Sequence, residues 1–255
     1  MNIYPWQKNA WSEVFSNKDK MPHAFTFFGP QTLEINKFVD ELIKSVLCSK
    51  SANEDFACGE CQDCLWSDTN HPDLKVVESG SDKDEKLNSD ILNIANAREV
   101  KKFLELTSHQ ANGKKIVVIY GAERLNVAAS NALLKTIEEP PNNCLIILTV
   151  NNLANLLPTI TSRCRLISLT NPSKEDAKNF LEDTNNADLI SRLELYNNSP
   201  LQLISEKEML ADISIVLDEL KKGDAVDLMK VNNIWLNNGL AWIINLLQKW
   251  SYEIL

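Results

Sequence analysis

The sequence predicts an α/β protein: a parallel sheet covered by helices on both faces, followed by an all-helical C-terminal part. Three observations predict it. Short apolar runs alternate with helical patterns through the first two thirds of the chain. Those runs are apolar almost without interruption, as strands buried on both faces are. After Asn171-Pro172 the strand pattern stops and only helical patterning continues.

Taken in order, Ala24-Phe25-Thr26-Phe27-Phe28 is a strand closed by Gly29-Pro30. Leu33, Phe38, Leu42, Ile43, Val46 and Leu47 then fall largely at helical spacing, which predicts a helix across 33–47. Leu74-Lys75-Val76-Val77 is a second strand, and the polar, charged stretch 79–90 a solvated loop. A helix is expected from Ile91 to Leu106. Ile116-Val117-Val118-Ile119-Tyr120 is rich in β-branched residues and predicts a third strand. Ala128 to Glu138 reads as a helix that Pro140-Pro141 terminates. Leu145-Ile146-Ile147-Leu148-Thr149 and Leu166-Ile167-Ser168-Leu169 supply a fourth and a fifth strand. Past Pro172, Ser173 followed by Glu175-Asp176 has the form of a helix start. Domain boundaries are expected near 170 and near 206. Trp235, Trp242 and Trp250 are spaced to share one helical face.

The charge balance narrows the function classes. Lys and Arg total 26 against 35 Asp and Glu, a formal net charge of −9 over 255 residues. A chain that binds DNA by itself draws most of its affinity from neutralised phosphates and carries a basic face. The balance here favours a protein partner. No run approaches the roughly 18 apolar residues of a membrane span, and the first eight residues lack the basic-then-apolar layout of a secretory signal. A cytoplasmic protein with no membrane association is expected, its six cysteines reduced.

A strand, a glycine turn and a helix is where a nucleotide phosphate loop, G-x-x-x-x-G-K-[ST], would lie. The stretch here is Gly29-Pro30-Gln31-Thr32-Leu33-Glu34-Ile35-Asn36. Glu34 stands at the second glycine, Ile35 at the lysine and Asn36 at the magnesium-holding hydroxyl. A carboxylate repels phosphates, and isoleucine offers no charge. The third strand ends Ile119-Tyr120-Gly121, without the acidic residue that phosphoryl transfer uses to hold magnesium. Two readings of the loop remain at this point: an ordinary Gly-Pro turn, or a nucleotide fold stripped of its catalytic elements.

Cys48, Cys58, Cys61 and Cys64 are spaced C-x9-C-x2-C-x2-C. A C-x2-C turn lets both thiolates reach one ion, and four soft ligands with no open position suit structural zinc. Unliganded thiols or a redox pair are the alternatives. His71 is a competing ligand or the organiser of the His71-Pro72-Asp73 turn. Cys144 and Cys164 read as core cysteines, and His109 as a surface-loop histidine.

Four phrases together resemble the clamp-loader AAA+ family of bacterial replication: His23-Ala24 before the first strand, His71-Pro72-Asp73, the run Ala129-Ser130-Asn131-Ala132-Leu133-Leu134-Lys135-Thr136-Ile137-Glu138-Glu139-Pro140-Pro141, and Leu156-Leu157-Pro158-Thr159-Ile160-Thr161-Ser162-Arg163-Cys164. The resemblance is close over 1–172 and looser over 173–255. It implies an AAA+-type α/β domain over 1–170 with a zinc module at 48–64, a helical lid over 171–206 and a helical collar over 207–255. Family members carry a longer collar, so this one is expected to be incomplete. The missing phosphate-loop lysine separates the chain from the gamma/tau motor subunits and implies a stator that binds no ATP and has no ATPase activity of its own. The implied partners are the gamma/tau and delta subunits, and through the complex primed DNA and the sliding clamp.

The resemblance further implies that Arg163 acts in trans on the ATP of a neighbouring gamma/tau subunit. A guanidinium can pair bidentately with the charge that builds on the γ-phosphoryl oxygens, which a lysine cannot do. Arg165, two residues on, is the alternative. Thr149 ends the fourth strand where a motor subunit senses the γ-phosphate; without a phosphate loop it is expected to serve the strand end. Two rival functions are an active ATPase subunit of the gamma/tau type, opposed by Ile35, and an independent zinc-module DNA binder, opposed by the charge.

Overall fold

The computed structural model describes residues 3–16, 21–50, 56–67, 71–78, 92, 94–109, 113–207, 215–216, 218–219, 222–223, 226–239 and 244. The chain divides into two compact units, Met1–Asn171 and Pro172–Leu255. The first holds five strands, β1 (Ala24–Phe28), β2 (Leu74–Val77), β3 (Lys115–Ile119), β4 (Cys144–Val150) and β5 (Arg165–Ser168), in one sheet of order β2-β3-β4-β1-β5 with every pair parallel. Its helices are α1 (Lys8–Phe15), α2 (Ile35–Leu47), α3 (Gln62–Ser67), α4 (Ile94–Leu104), α5 (Val127–Glu138) and α6 (Pro158–Thr161).

Strand residues alternate between two cores. Phe25, Phe27, Ile116, Val118, Leu145 and Ile147 pack with Trp11 of α1 and Phe38, Val39 and Leu42 of α2. Ala24, Val117, Ile119, Ile146 and Leu148 pack with Val100 and Leu104 of α4 and Leu133 and Ile137 of α5. Burying each large side chain contributes about 1.5–3 kcal/mol. Two buried faces explain why the central strands show no polar alternation. The edges differ from that expectation: Lys75 and Val76 in β2, and Arg165, Leu166 and Ser168 in β5, are partly or largely exposed, because each edge strand has one neighbour and incomplete cover.

Most element bounds shift by one to three residues from the sequence reading, and two of the shifts change what the segment does. The helix expected over 91–106 spans Ile94–Leu104, and Leu92 instead bridges Leu125, its N–H bonding Arg124 O. β3 begins one residue early, at Lys115, whose N–H donates to Asn143 O at 2.9 Å. Gly29 is required where β1 ends: a Cβ there would lie 2.2 Å from Leu169 O. The 79–90 loop lies outside the described residues.

A buried ion pair joins the start of β3 to the turn before β2. Lys115 Nζ lies 2.9 Å from Asp73 Oδ1, with the two side chains 7% and 1% exposed. Asp73 also accepts from His109 N and Ser108 Oγ, and Lys115 Nζ donates to Pro72 O.

In the second unit, α7 (Lys174–Asp183) starts at Ser173, whose Oγ accepts from Asp176 N at 3.1 Å. With α8 (Pro200–Ser205) it encloses a core of Ala177, Leu181, Leu189, Leu193, Tyr196 and Leu203. α9 spans Leu228–Asn238 and carries Trp235; Trp242 and Trp250 lie outside the described residues. Among the described residues no helix is long and apolar enough to cross a membrane.

Removing one partner of a buried ion pair strands the other. Asp73→Ala is therefore expected to destabilise the first unit by about 3–5 kcal/mol in urea unfolding. Burial opposes ionisation of Asp73, but the His109 N–H, Lys115 and Ser108 outweigh it and hold the carboxyl below its ordinary value. A depressed folded value gives stability that is complete above the unfolded value of about 3.9 and is lost as pH falls through the folded one. Acid titration of Asp73→Asn should lack that share of the wild-type loss below about pH 4.

Candidate functional site

The carboxyl ends of β1, β3 and β4 open on a cleft of about 310 Å³ lined by Glu34, Ile35, Asn36, Lys37, Glu78, Tyr120, Gly121, Glu123, Arg124, Thr149, Val150 and Asn151. This is where a parallel sheet presents a ligand crevice. The backbone takes an unusual conformation at one place beside the cleft. Glu34, at the position of the second glycine, has φ 49° and ψ 49°, the left-handed region that costs a non-glycine residue about 1–2 kcal/mol.

Polar side chains at this end of the sheet bond to one another. Glu34 accepts from Tyr4 Oη at 2.5 Å and pairs with Lys37 Nζ at 2.7 Å. Burial works against its ionisation, yet Lys37 and Tyr4 hold its carboxyl below the ordinary range. Burial and the bond to Glu34 push the Tyr4 phenol up. Asn36 Oδ1 accepts from Thr149 Oγ1 at 3.4 Å, and Thr149 Oγ1 accepts from Gly121 N at 3.1 Å. Tyr120 stands where a magnesium-holding acid would be and donates its hydroxyl to Asp40 of α2. Its phenol is raised by burial and by the charges of Asp40 and Glu78, so it stays protonated. Lys37, the cation beside Asn36, is spent on Glu34.

The four cysteine sulfurs lie within 4.8 Å of one another. Cys48 and Cys61 are 3.8 Å apart, Cys58 and Cys64 3.9 Å, and Cys61 and Cys64 3.4 Å. Four thiolates at about 2.3 Å from one tetrahedral ion would be separated by about 3.8 Å, whereas disulfides need about 2.05 Å. The set therefore fits one tetrahedral metal ion. Backbone N–H groups of Cys58, Cys61 and Cys64 point at the sulfurs of Cys48, Cys58 and Cys61, stabilising thiolate charge.

His71 is not part of that set. Its Nδ1 accepts from Asp73 N at 3.0 Å, which leaves Nε2 to carry the proton donated to Asp63 Oδ1 at 3.3 Å. The histidine organises the turn and ties the cysteine module to the sheet edge. Cys144 is buried and Cys164 partly so, and burial raises both thiols. His109 is exposed.

Arg163 follows α6 and precedes β5. Its Nε lies 2.8 Å from Glu138 Oε1, and its Nη1 donates to Thr159 O at 3.0 Å and Ser162 Oγ at 3.2 Å. Arg165 goes elsewhere, to Glu13 at 2.6 Å. The two arginines, which a regular strand would align, diverge because β5 begins only at Arg165.

A family model described as DNA polymerase III, delta subunit, matches residues 7–173. The chain is similar to the DNA polymerase III subunit delta' of Pseudomonas aeruginosa, at 35% identity over 164 residues, covering 64% of this chain and 47% of that protein. The chain belongs to the DNA polymerase III delta-prime family. It is 30% identical over 205 residues to the subunit delta' of Haemophilus influenzae, covering 78% and 60% of the two proteins. It is 25% identical over 275 residues to that of Buchnera aphidicola subsp. Baizongia pistaciae, covering 100% and 80%. The chain thus spans about half to three-fifths of the length of the first two relatives.

The sequence showed which residues stand at 29–36 but not which partners they take. Tyr4, Asp40 and Glu138 carried no local signal, because each acts on a residue at least 25 positions away.

The cysteine geometry predicts that Co²⁺ titrated into the reduced protein saturates at about one ion per chain with thiolate charge-transfer bands of tetrahedral coordination. Cys61→Ser should bind Co²⁺ more weakly and unfold at lower temperature; unaltered binding would count against a four-cysteine centre.

Proposed function

We propose that this chain is a non-hydrolysing stator of the DNA polymerase III clamp loader, working beside gamma/tau and delta subunits to place a sliding clamp on primed DNA. The single observation that carries the reading is the cleft at the strand ends. Glu34, aligned with the second glycine of a phosphate loop, is left-handed, polar side chains beside it bond to one another, and an isoleucine stands at the lysine position. The lining sets Glu34, Glu78 and Glu123 against Lys37 and Arg124, with Lys37 already paired to Glu34, so a triphosphate would meet a net acidic cleft.

Turnover is then assisted from outside the cleft. Arg163 stands on the surface in a partly exposed turn, 41% accessible in its side chain, able to present a guanidinium to a neighbour's ATP. In phosphoryl transfer the charge gathers on the equatorial γ-oxygens, and an arginine supplied in trans is worth roughly 10³–10⁵ in rate in GTPases. The metal reading is zinc: tetrahedral four-thiolate sites suit Zn²⁺, which brings no redox chemistry and serves folding. Residues 171–206 are assigned as the lid and 207–255 as part of the collar through which subunits join.

Two measurements test this reading. Titration of a fluorescent ATP analogue with Mg²⁺ against the isolated chain should show no saturable binding; tight occupancy would refute the stator. Arg163→Ala should leave the melting temperature of the chain unchanged and cut the DNA- and clamp-stimulated ATPase of the reconstituted loader, with Arg163→Lys giving little rescue because it lacks the planar fork. Wild-type turnover in the Arg163→Ala complex would remove the trans role.

A further inference from the structure

Glu138 ends α5, the position where a helix least favours a negative charge, since the macrodipole's negative pole lies there. The carboxylate is nonetheless fixed in place. Pro140 and Pro141 stop the helix immediately beyond it. His23, entering β1, binds the carbonyl of Ile137 through Nε2 at 3.0 Å, pinning the last turn to the sheet. From that anchored end Glu138 Oε1 takes the Nε edge of Arg163 at 2.8 Å.

The remaining bonds of the guanidinium are equally directional. Nη1 is held by Thr159 O and Ser162 Oγ, both on the short turn of α6. Among the described residues Nη2 takes no hydrogen bond. One amino group is therefore hydrogen-bonded and the Nε side is ion-paired, while Nη2 keeps its hydrogen-bonding capacity. At 40% and 41% side-chain exposure the ion pair adds little to stability. Its consequence is orientation: a long side chain is already ordered before any partner arrives, so less rotamer freedom is lost at docking.

We infer that Glu138 is the positioning residue of Arg163, holding the guanidinium by its Nε edge so that Nη2 is presented to an anion on a neighbouring subunit. The inference rests on the trans role proposed above and goes beyond it, by assigning the group that aims the arginine.

A double-mutant cycle in the reconstituted clamp loader, with the full chain, tests it. Glu138→Ala is expected to lower kcat for ATP by about 10- to 100-fold, the order seen when a reacting group loses its orientation, with KM and melting temperature unchanged. Glu138→Gln keeps an acceptor for the Nε–H and should restore most of the rate. The Glu138→Ala/Arg163→Ala double variant should be no slower than Arg163→Ala, because a residue acting only through Arg163 has nothing further to lose. A Glu138→Ala complex at or above wild-type rate, while Arg163→Ala is slow, overturns the inference and spares the trans role. Losses that multiply in the double variant also overturn it. A wild-type rate for Arg163→Ala itself removes the trans role, and the inference falls with it. In the isolated chain, ¹⁵N relaxation of the Arg163 Nε should report a restricted side chain that loosens in Glu138→Ala; equal order in both proteins would contradict the clamp.

Discussion

A parallel sheet sends all its carboxyl ends to one edge and all its amino ends to the other, and in this chain the two edges carry different chemistry. Because every pairing in the order β2-β3-β4-β1-β5 is parallel, the residues after β1, β3 and β4 converge on one cleft. The residues before β1, β4 and β5 converge at the opposite edge. There His23, the end of α5 and Arg163 meet, although they are far apart in the chain. A single topological constraint thus separates the cleft from the edge that bears Arg163.

At the first edge the backbone and the side chains tell different stories. The left-handed conformation at Glu34 is unfavourable for a residue with a Cβ and persists because Tyr4 and Lys37 hold the carboxylate. Asn36, Thr149 and Gly121 form a chain of hydrogen bonds across the floor, and Tyr120 reaches over to Asp40. Unpaired polar groups in a shielded cleft cost free energy, and these bonds satisfy Asn36, Thr149 and Tyr120 within the chain.

The cysteine module is joined to the same sheet through a relay of polar contacts. Asp63, between two of the cysteines, meets His71; His71 orders the Asp73 backbone; Asp73 pairs with Lys115 at the head of β3. Order in the module is therefore transmitted to β3, an inner strand, through largely buried groups, where low polarisability of the surroundings makes each contact count.

By itself the sequence determined the elements, the parallel class of the sheet, the loss of the phosphate-loop lysine and the four-cysteine spacing. All of these are set by patterns within about ten residues: period, turn residues and ligand spacing. The tertiary structure decided which partners those residues take. Only when strands far apart in sequence lie side by side does Tyr4 reach Glu34, Asp40 reach Tyr120, or Glu138 reach Arg163, and only the late start of β5 sends Arg163 and Arg165 to different carboxylates. Side-chain pairing depends on distances across the fold, and no local pattern encodes them.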